Sequence, residues 1–186
     1  MNNERSCSWA LVLYPSEDPT HKDALDFITN NYNKYAFIKH DKDILDNGEL
    51  KKEHYHVVIQ FTNYRWRNAI ANELNITPNY LEKIRNLEKS MQYLIHFNDS
   101  DKYQYDIEEV QGPLKQKLIA YINTTDKSES EKVLELIDYI ENNKRFIKLT
   151  DFIKYVCISN LYDIYRRSAT TFVKILEEHN FVYHKR

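Results

Sequence analysis

The stretch EHYHVVIQF, residues 53–61, has the alternating pattern of a β-strand, and the fold of the N-terminal part of the chain follows from it. Successive side chains of a strand point to opposite faces, so one face is wholly apolar and must pack on a core. That face carries Tyr55, Val57, Ile59 and Phe61. The other face carries His54 and His56 within reach of one ion, together with Val58 and Gln60. Histidine is the commonest side-chain ligand of metals, but on spacing alone a structural role for the pair is equally well supported.

The segment before this strand supplies two more candidate ligands. The strand YAFIKH, residues 35–40, ends in His40, and Asn47-Gly48 is a tight-turn pair that folds the chain back toward the histidine strand. We therefore predict an antiparallel pair of strands. In this pair His40 and Asp43 complete a site of three imidazoles and one carboxylate.

The chemistry of these four side chains narrows the choice of ion. A site made only of histidines suits Zn, Cu or Ni, whereas a carboxylate and open coordination positions favour Mn²⁺ or Mg²⁺. A hard divalent ion of this kind points to phosphate chemistry. The neighbouring Asp41 and Asp46 are better explained as residues of a solvated acidic loop than as ligands.

A helix predicted over NLEKSMQYLIHFN, residues 86–98, carries a candidate nucleophile. Its core stripe consists of Leu87, Met91, Leu94 and Ile95. Tyr93 points away from that stripe, with Lys89 one turn before it and His96 beside it. A phenol is a weak nucleophile at neutral pH, so it needs a base, a nearby cation or a metal-activated electrophile. We expect Lys89 to help hold the phenolate or the phosphate.

The remaining periodicity predicts an α+β domain followed by a helical one. Further helices are expected over residues 20–34, 66–74 and 114–122, the first of them capped by Thr20, and a buried strand over residues 8–15. Residues 76–84 are either a strand or an irregular connector, and residues 103–110 either a last strand or an extended segment. We expect the α+β domain to span residues 1–122, a polar linker residues 123–131, and an all-α domain residues 132–186.

Composition and charge bound the class of protein. The 186 residues are 42% hydrophobic and include 15 Tyr, 8 Phe and 2 Trp, which indicates a globular chain with a real core. Cys7 and Cys157 match no metal or redox spacing, and no apolar run approaches the length of a membrane span. We therefore expect a cytoplasmic protein without a membrane partner. Because the net charge is −2, any contact with DNA must rely on a local basic face.

Four segments, taken in order, resemble a known family: ALVLYP, KHDKD, EHYHVVIQF and MQYLIHFNDSDKYQYD. Together they resemble the replication initiators of small rolling-circle plasmids, within the HUH endonuclease superfamily and of the type with one catalytic tyrosine. The resemblance covers residues 8–110 well and the C-terminal part only loosely. It implies a ferredoxin-like antiparallel sheet flanked by helices, with the histidine pair on a central strand and the nucleophile on a facing helix.

The resemblance also implies a reaction and assigns residues to it. An enzyme of this family nicks one DNA strand at an origin hairpin and stays linked through its tyrosine to the 5′ phosphate. It releases a 3′ hydroxyl that primes replication, and it later rejoins the ends. The residues that match the family's metal ligands are His54, His56, His40 and Asp43, and Tyr93 matches its nucleophile.

Basic and aromatic residues are interleaved in two stretches, NYRWR at residues 63–67 and YLEKIRNLEK at residues 80–89. Cations can hold phosphates, and aromatic rings can stack on unpaired bases. The candidate DNA contacts are Arg65, Trp66, Arg67, Lys83 and Arg85, with Lys51 and Lys52 ahead of the histidine strand. In an equally supported interpretation, Trp66 belongs to the core and the two arginines are surface charges.

The predicted helical domain is compatible with a helix-turn-helix, whose Arg166 and Arg167 could touch DNA. The resemblance favours either this accessory role or oligomerisation. The partners that it implies are origin DNA, as a single strand or hairpin with flanking duplex, further copies of the chain, and a host helicase and polymerase.

Several alternatives stay open. Tyr103 and Tyr105 are rival nucleophiles, although they fall in the extended segment, and the helix of Tyr93 has no second tyrosine at a suitable spacing. A conjugative relaxase or a transposase relative would carry the same site. From other classes, a non-catalytic DNA- or RNA-binding regulator would explain the aromatic residues, and a hydrolase of small phosphate esters would explain the metal ligands.

Overall fold

The histidine strand is an inner strand of a four-stranded antiparallel sheet, as a computed structural model that describes residues 4–125 and 127–183 shows. The strands are β1 (Arg5–Leu13), β2 (Tyr35–His40), β3 (His54–Trp66) and β4 (Leu81–Lys83), in the spatial order β2-β3-β1-β4. Helices α1 (Pro19–Asn31), α2 (Arg67–Glu73) and α3 (Leu87–Gln92) lie between or after them. The predicted α+β class and antiparallel sheet are confirmed.

The apolar face of β3 packs on a core, as the alternation predicts. Val57 and Ile59 are buried in one cluster with Trp9 and Leu11 of β1 and with Ile28 of α1. Side chains of this size each contribute roughly 1.5–3 kcal/mol when fully buried. One face of the sheet is thereby fixed against the helices, and the histidine face is turned the other way.

Local capping differs from the prediction at the start of α1. The N-cap is Asp18, whose side chain accepts a hydrogen bond from the backbone N–H of Thr20 at 2.8 Å. Thr20 is therefore not the cap. Pro19 follows the cap because a proline, which lacks an N–H, suits the first position of a helix.

The predicted helix over residues 86–98 is shorter than expected. α3 ends at Gln92, a 3₁₀ turn follows over Tyr93–Ile95, and His96 has a left-handed backbone with φ of 57°. A left-handed residue cannot continue a right-handed helix. Residues 103–110 contain no strand; Ile107–Glu109 is a 3₁₀ turn capped by Asp106.

The described chain divides at Leu118 into two compact units. The second unit contains α5 (Glu129–Asn142), α6 (Leu149–Ile158), α7 (Tyr162–Arg167) and α8 (Ala169–Tyr183). Its core consists of Leu136, Ile140, Ile147, Phe152, Val156, Leu161, Phe172 and Leu176. Over residues 127–183 this unit contains helices and no strand.

The predicted linker over residues 123–131 is largely helical. Helix α4 (Lys115–Thr125) runs into it from one side, and α5 begins at Glu129. Ser128 and Glu131 form a capping box, in which each side chain satisfies a backbone N–H of the other residue. The polar composition of this stretch therefore marks a helix start, while Asp126 lies outside the described residues. In the part of the chain that is described, no helix has both the length and the apolar character needed to cross a membrane.

Candidate active site

The four predicted metal ligands lie together on the sheet face opposite the core. The register of β2 against β3 places His40 opposite His54, and Ile38 opposite His56. One ring nitrogen from each of the three histidines lies within 4.8 Å of the others. The Asp43 Oδ2 atom is 3.3 Å from His40 Nδ1 and 3.7 Å from His54 Nε2. The turn between the strands thus returns Asp43 to the histidines.

Burial keeps these imidazoles uncharged near neutral pH. His40 and His54 are fully buried, and His56 is half-buried. Removal from water lowers the pKa of His40 to about 4 and that of His56 to about 2, and it lowers the pKa of His54. Neutral imidazole is the form that binds a metal ion.

The hydrogen bonds of the ring nitrogens leave unprotonated nitrogens directed into the site. His40 Nε2–H donates to the carbonyl of Leu94 at 2.7 Å, so the Nδ1 of a neutral ring is a bare lone pair facing Asp43. His54 Nδ1–H donates to the carbonyl of Lys52 at 2.8 Å, so its Nε2 lone pair faces His56 Nε2 at 3.1 Å. Lone pairs of His40 and His54 that point at a carboxylate and at a neighbouring imidazole fit a bound cation. The residues present therefore suit a divalent metal.

A fourth histidine lies beside this cluster. His96 is buried, and its Nδ1–H donates to the carbonyl of Tyr103 at 2.8 Å. Its Nε2 has no hydrogen-bond partner among the described residues. Together with His40 and Asp43 it forms a second group of side chains whose ligand atoms are close enough to hold an ion. His96, which the sequence places beside Tyr93 as a candidate supporting residue, thus lies next to the predicted ligands.

Tyr93 lies at the open side of the cluster. Its side chain is 41% exposed, and its ring lies edge-on to those of His56 and His96, with centroids 5.4 and 5.1 Å away. The phenol oxygen accepts a hydrogen bond from Lys102 Nζ at 3.0 Å, and Lys102 is itself held by Asp99 at 2.9 Å. An exposed phenol that already contacts a cation therefore lies beside His56 and His96.

The cation beside Tyr93 differs from the predicted one. Lys89 lines the same cavity as Tyr93, but the hydrogen bond to the phenol comes from Lys102. Sequence reasoning missed Lys102 because it follows a turn after the helix, where the spacing of three or four residues that marks neighbours on a helix does not apply. The position of Lys102 is determined instead by its contacts with Asp99 and Tyr93.

An open cavity of about 990 Å³ extends from Tyr93 and His56 across the sheet face. The predicted DNA contacts that line it are Lys51, Arg67, Lys83 and Arg85, and Lys89 lines it as well. Glu4 and Glu82 are its acidic side chains, and Glu4 is paired with Arg67 at 2.5 Å. A groove with an excess of cations thus leads to the tyrosine.

Three other predicted DNA contacts do not line this cavity. Arg65 is paired with Glu73 at 2.7 Å, and Lys52 with Glu17 at 2.6 Å. Trp66 is 48% exposed, so its assignment to the core is wrong. The guanidinium of Arg5, which sequence reasoning missed, lies 5.8 Å from the centre of the Trp66 ring. Arg5 and Trp66 are directly paired between β1 and β3, and this pairing became visible only with the register.

The two arginines of the helical unit already have carboxylate partners. Arg166 is paired with Asp163 at 3.6 Å, and Arg167 with Glu129. Both guanidinium groups are largely exposed. A role of this unit in DNA binding or in oligomerisation stays a prediction.

The fold and the site together define an α+β protein with a buried histidine and aspartate centre beside an exposed tyrosine. Residues 1–118 match the family described as plasmid replication protein, origin binding domain. The chain belongs to this family, and its partner is therefore origin DNA.

Named relatives agree with that assignment. The chain is 26% identical over 181 residues to the replication protein RepB of Lactiplantibacillus plantarum, an alignment that covers 92% of this chain and 79% of the relative. It is 28% identical over 146 residues to a replication protein of Staphylococcus aureus, covering 75% of this chain and 70% of the relative. A replication protein of Onion yellows phytoplasma (strain OY-M) is 34% identical over 88 residues, covering 41% of this chain and 23% of the relative.

Proposed function

We propose that the N-terminal unit nicks one strand of plasmid origin DNA and later rejoins it, which starts rolling-circle replication. Tyr93 acts as the nucleophile, beside a divalent ion held by His40, Asp43, His54 and His56. The observation that carries this proposal is the position of an exposed phenol at the edge of a largely buried cluster of neutral imidazoles and one carboxylate.

The proposed step is a balanced exchange of phosphate esters. The phenol oxygen of Tyr93 forms a bond to phosphorus, and the bond from phosphorus to the 3′ oxygen breaks. The phenol proton passes to solvent and the departing 3′ oxygen takes one up, leaving a 3′ hydroxyl and a 5′ phosphotyrosine. Attack by a 3′ hydroxyl on the phosphotyrosine reverses the step and rejoins the strand.

The side chains of the site have different roles in the proposed step. Lys102 donates a hydrogen bond to the phenol oxygen, so it favours the negative charge that this oxygen needs for attack. Lys89, on the wall of the same cavity, is placed to contact a phosphate. When bound, Mn²⁺ or Mg²⁺ supplies a Lewis acid that draws negative charge from the phosphate. The mixture of imidazoles and one carboxylate favours Mn²⁺ over Mg²⁺, which prefers oxygen ligands.

The first experiment detects the covalent intermediate. The full chain is incubated with a labelled single-stranded oligonucleotide of its origin, and the products are separated on a denaturing gel. We expect a labelled protein band with Mn²⁺, no band with EDTA, and recovery of the band when Mn²⁺ is added back. An adduct that forms equally well in EDTA contradicts the metal requirement. Binding to a proven cognate site without any adduct favours a non-catalytic regulator.

We further propose that the exposed rings at the far end of β3 stack on unpaired bases. Tyr64 is exposed like Trp66, and Arg5 lies over both rings, 5.2 Å from the centre of Tyr64. Tyr64 and Trp66 lie beyond an irregularity in the pairing of β1 with β3, which falls between Ser6 and Ser8 of β1. Exposed rings beside a guanidinium group are suited to stack on the unpaired bases of a single strand.

The two tryptophans make this contact measurable. Trp9 is fully buried and Trp66 is 48% exposed, so quenching of tryptophan fluorescence by a single-stranded oligonucleotide reports on Trp66. We expect Trp66→Ala to remove the quenching and to weaken binding about 5- to 150-fold, the range of one base-stacking contact. Phe146→Ala, which removes an aromatic ring of similar exposure from the segment between α5 and α6, should leave the affinity unchanged. Unaltered affinity in Trp66→Ala argues against stacking there.

A further inference from the structure

Tyr105, a rival nucleophile by sequence, is enclosed by the candidate metal site. Its side chain is only 4% exposed, so an incoming phosphate cannot reach it as it can reach Tyr93. Its ring lies parallel to that of His40, with the centroids 4.2 Å apart and the planes at 8°. Its hydroxyl lies 3.1 Å from the Oδ1 of Asp43. One tyrosine thus touches two of the four candidate ligands.

The hydrogen bonds of this hydroxyl fix its direction. The backbone N–H of Lys42 donates to the Tyr105 oxygen at 2.9 Å. The single proton of the phenol is therefore free to be donated, and the acceptor within reach is the Oδ1 of Asp43.

This bond separates the two oxygens of the Asp43 carboxylate. Oδ1 is taken up by Tyr105, whereas Oδ2 is the oxygen that faces His40 Nδ1 at 3.3 Å and His54 Nε2 at 3.7 Å. The carboxylate is thereby kept from rotating, with one oxygen directed at the histidine lone pairs. A freely rotating carboxylate in the turn after β2 would not be fixed in that way.

The stacked ring constrains the second ligand. His40 is held on one edge by its Nε2–H bond to the carbonyl of Leu94, and its plane lies flat against Tyr105. An edge contact and a face contact together leave the imidazole little freedom to turn its Nδ1 away from Asp43. Groups that orient metal ligands in this manner set the affinity of a site as well as the ligands do.

We infer that Tyr105 is a positioning residue that orients Asp43 and His40 for the divalent ion. The inference rests on the proposed function, because it presumes that these residues hold a metal. It assigns to Tyr105 a role different from that of Tyr93, since Tyr105 does not touch the DNA or the reacting atoms. The two rival tyrosines by sequence therefore divide into a ligand support, Tyr105, and an exposed neighbour, Tyr103.

The test is a titration of the full chain with Mn²⁺ alone. Binding is measured by isothermal titration calorimetry and by the electron paramagnetic resonance signal of free Mn²⁺. Tyr105→Phe keeps the ring and removes only the hydroxyl. We expect it to weaken Mn²⁺ binding about 10- to 100-fold, the usual effect of losing an outer partner of a ligand. Tyr103→Phe is the matched control, because it removes a hydroxyl from an exposed ring two positions away, and it should bind Mn²⁺ as the wild type does.

A second measurement separates positioning from packing. The thermal midpoint of the metal-free variant is recorded by circular dichroism, and the titration is run at a temperature where Tyr105→Phe is fully folded. Weakened Mn²⁺ binding by a folded variant supports the inference, because a role in packing alone would not change the affinity. Equal affinity of Tyr105→Phe and wild type overturns the inference and leaves the proposed function intact. A wild-type chain that binds no Mn²⁺ overturns both.

Discussion

Tyr93→Phe is expected to abolish the covalent protein–DNA adduct and strand nicking while origin DNA is still bound. The phenol oxygen is the atom that bonds to phosphorus in the proposed step, and phenylalanine offers no substitute for it. Loss of a nucleophile lowers the rate of a covalent step by roughly 10³-fold or more. The ring itself packs edge-on against His56 and His96, and phenylalanine keeps those contacts. The fold and the metal cluster should therefore be unchanged.

The adduct gel measures this directly, with DNA binding recorded by fluorescence anisotropy on the same samples. Tyr103→Phe is a matched control, because Tyr103 is 45% exposed against 41% for Tyr93 and follows it closely in the chain. We expect this control to form the adduct at the wild-type rate. If Tyr93→Phe still forms an adduct, the nucleophile is another residue, which peptide mapping of the labelled adduct would identify.

The strands and their partners could be predicted because their signals are local and periodic. The alternation of EHYHVVIQF separates His54 and His56 from the apolar face, and the Asn47-Gly48 turn brings His40 against them. Residues of paired strands meet at positions that the turn and the pleat determine. The sequence could therefore predict that these three candidate ligands lie together.

The residues that complete the site lie where no period applies. The chain from Phe97 to Asp106 is a series of turns and extended residues, and it contributes both Lys102 and Tyr105. Their contacts with Tyr93 and Asp43 depend on the left-handed backbone of His96, which ends the 3₁₀ turn after α3. A single residue of this conformation redirects the chain, and sequence spacing carries no signal of where the following side chains arrive.

At the predicted linker, by contrast, the sequence contains the signal that determines the local structure. Residues 123–131 are polar and contain no apolar side chain, which is typical of a linker. The pair Ser128 and Glu131 also has the spacing of a capping box, and in the structure this second pattern determines the start of α5. The spacing of cap residues was therefore more informative here than composition.

His56→Ala is expected to remove both Mn²⁺ binding and adduct formation. His56 is the proposed ligand on the side of Tyr93, and its Nε2 lies 3.1 Å from that of His54. Losing a ligand should weaken binding by more than the roughly 10- to 100-fold that follows from losing an outer partner. The strand should still form, because Val57 and Ile59, on the opposite face, supply its core contacts. Calorimetry with Mn²⁺ and the adduct gel, run on the same preparations, give the two readouts.

A control and a companion variant show which side chains hold the ion. His179→Ala removes a half-buried histidine from the helical unit and should change neither readout. His96→Ala distinguishes the two candidate groups, because His96 belongs to the group with His40 and Asp43, whereas His56 belongs to the group with His40 and His54. The proposal requires that His56→Ala lose Mn²⁺ and that His96→Ala retain it. The opposite result would place the ion in the second group, away from His56. His96 would then be the ligand that holds the ion beside Tyr93.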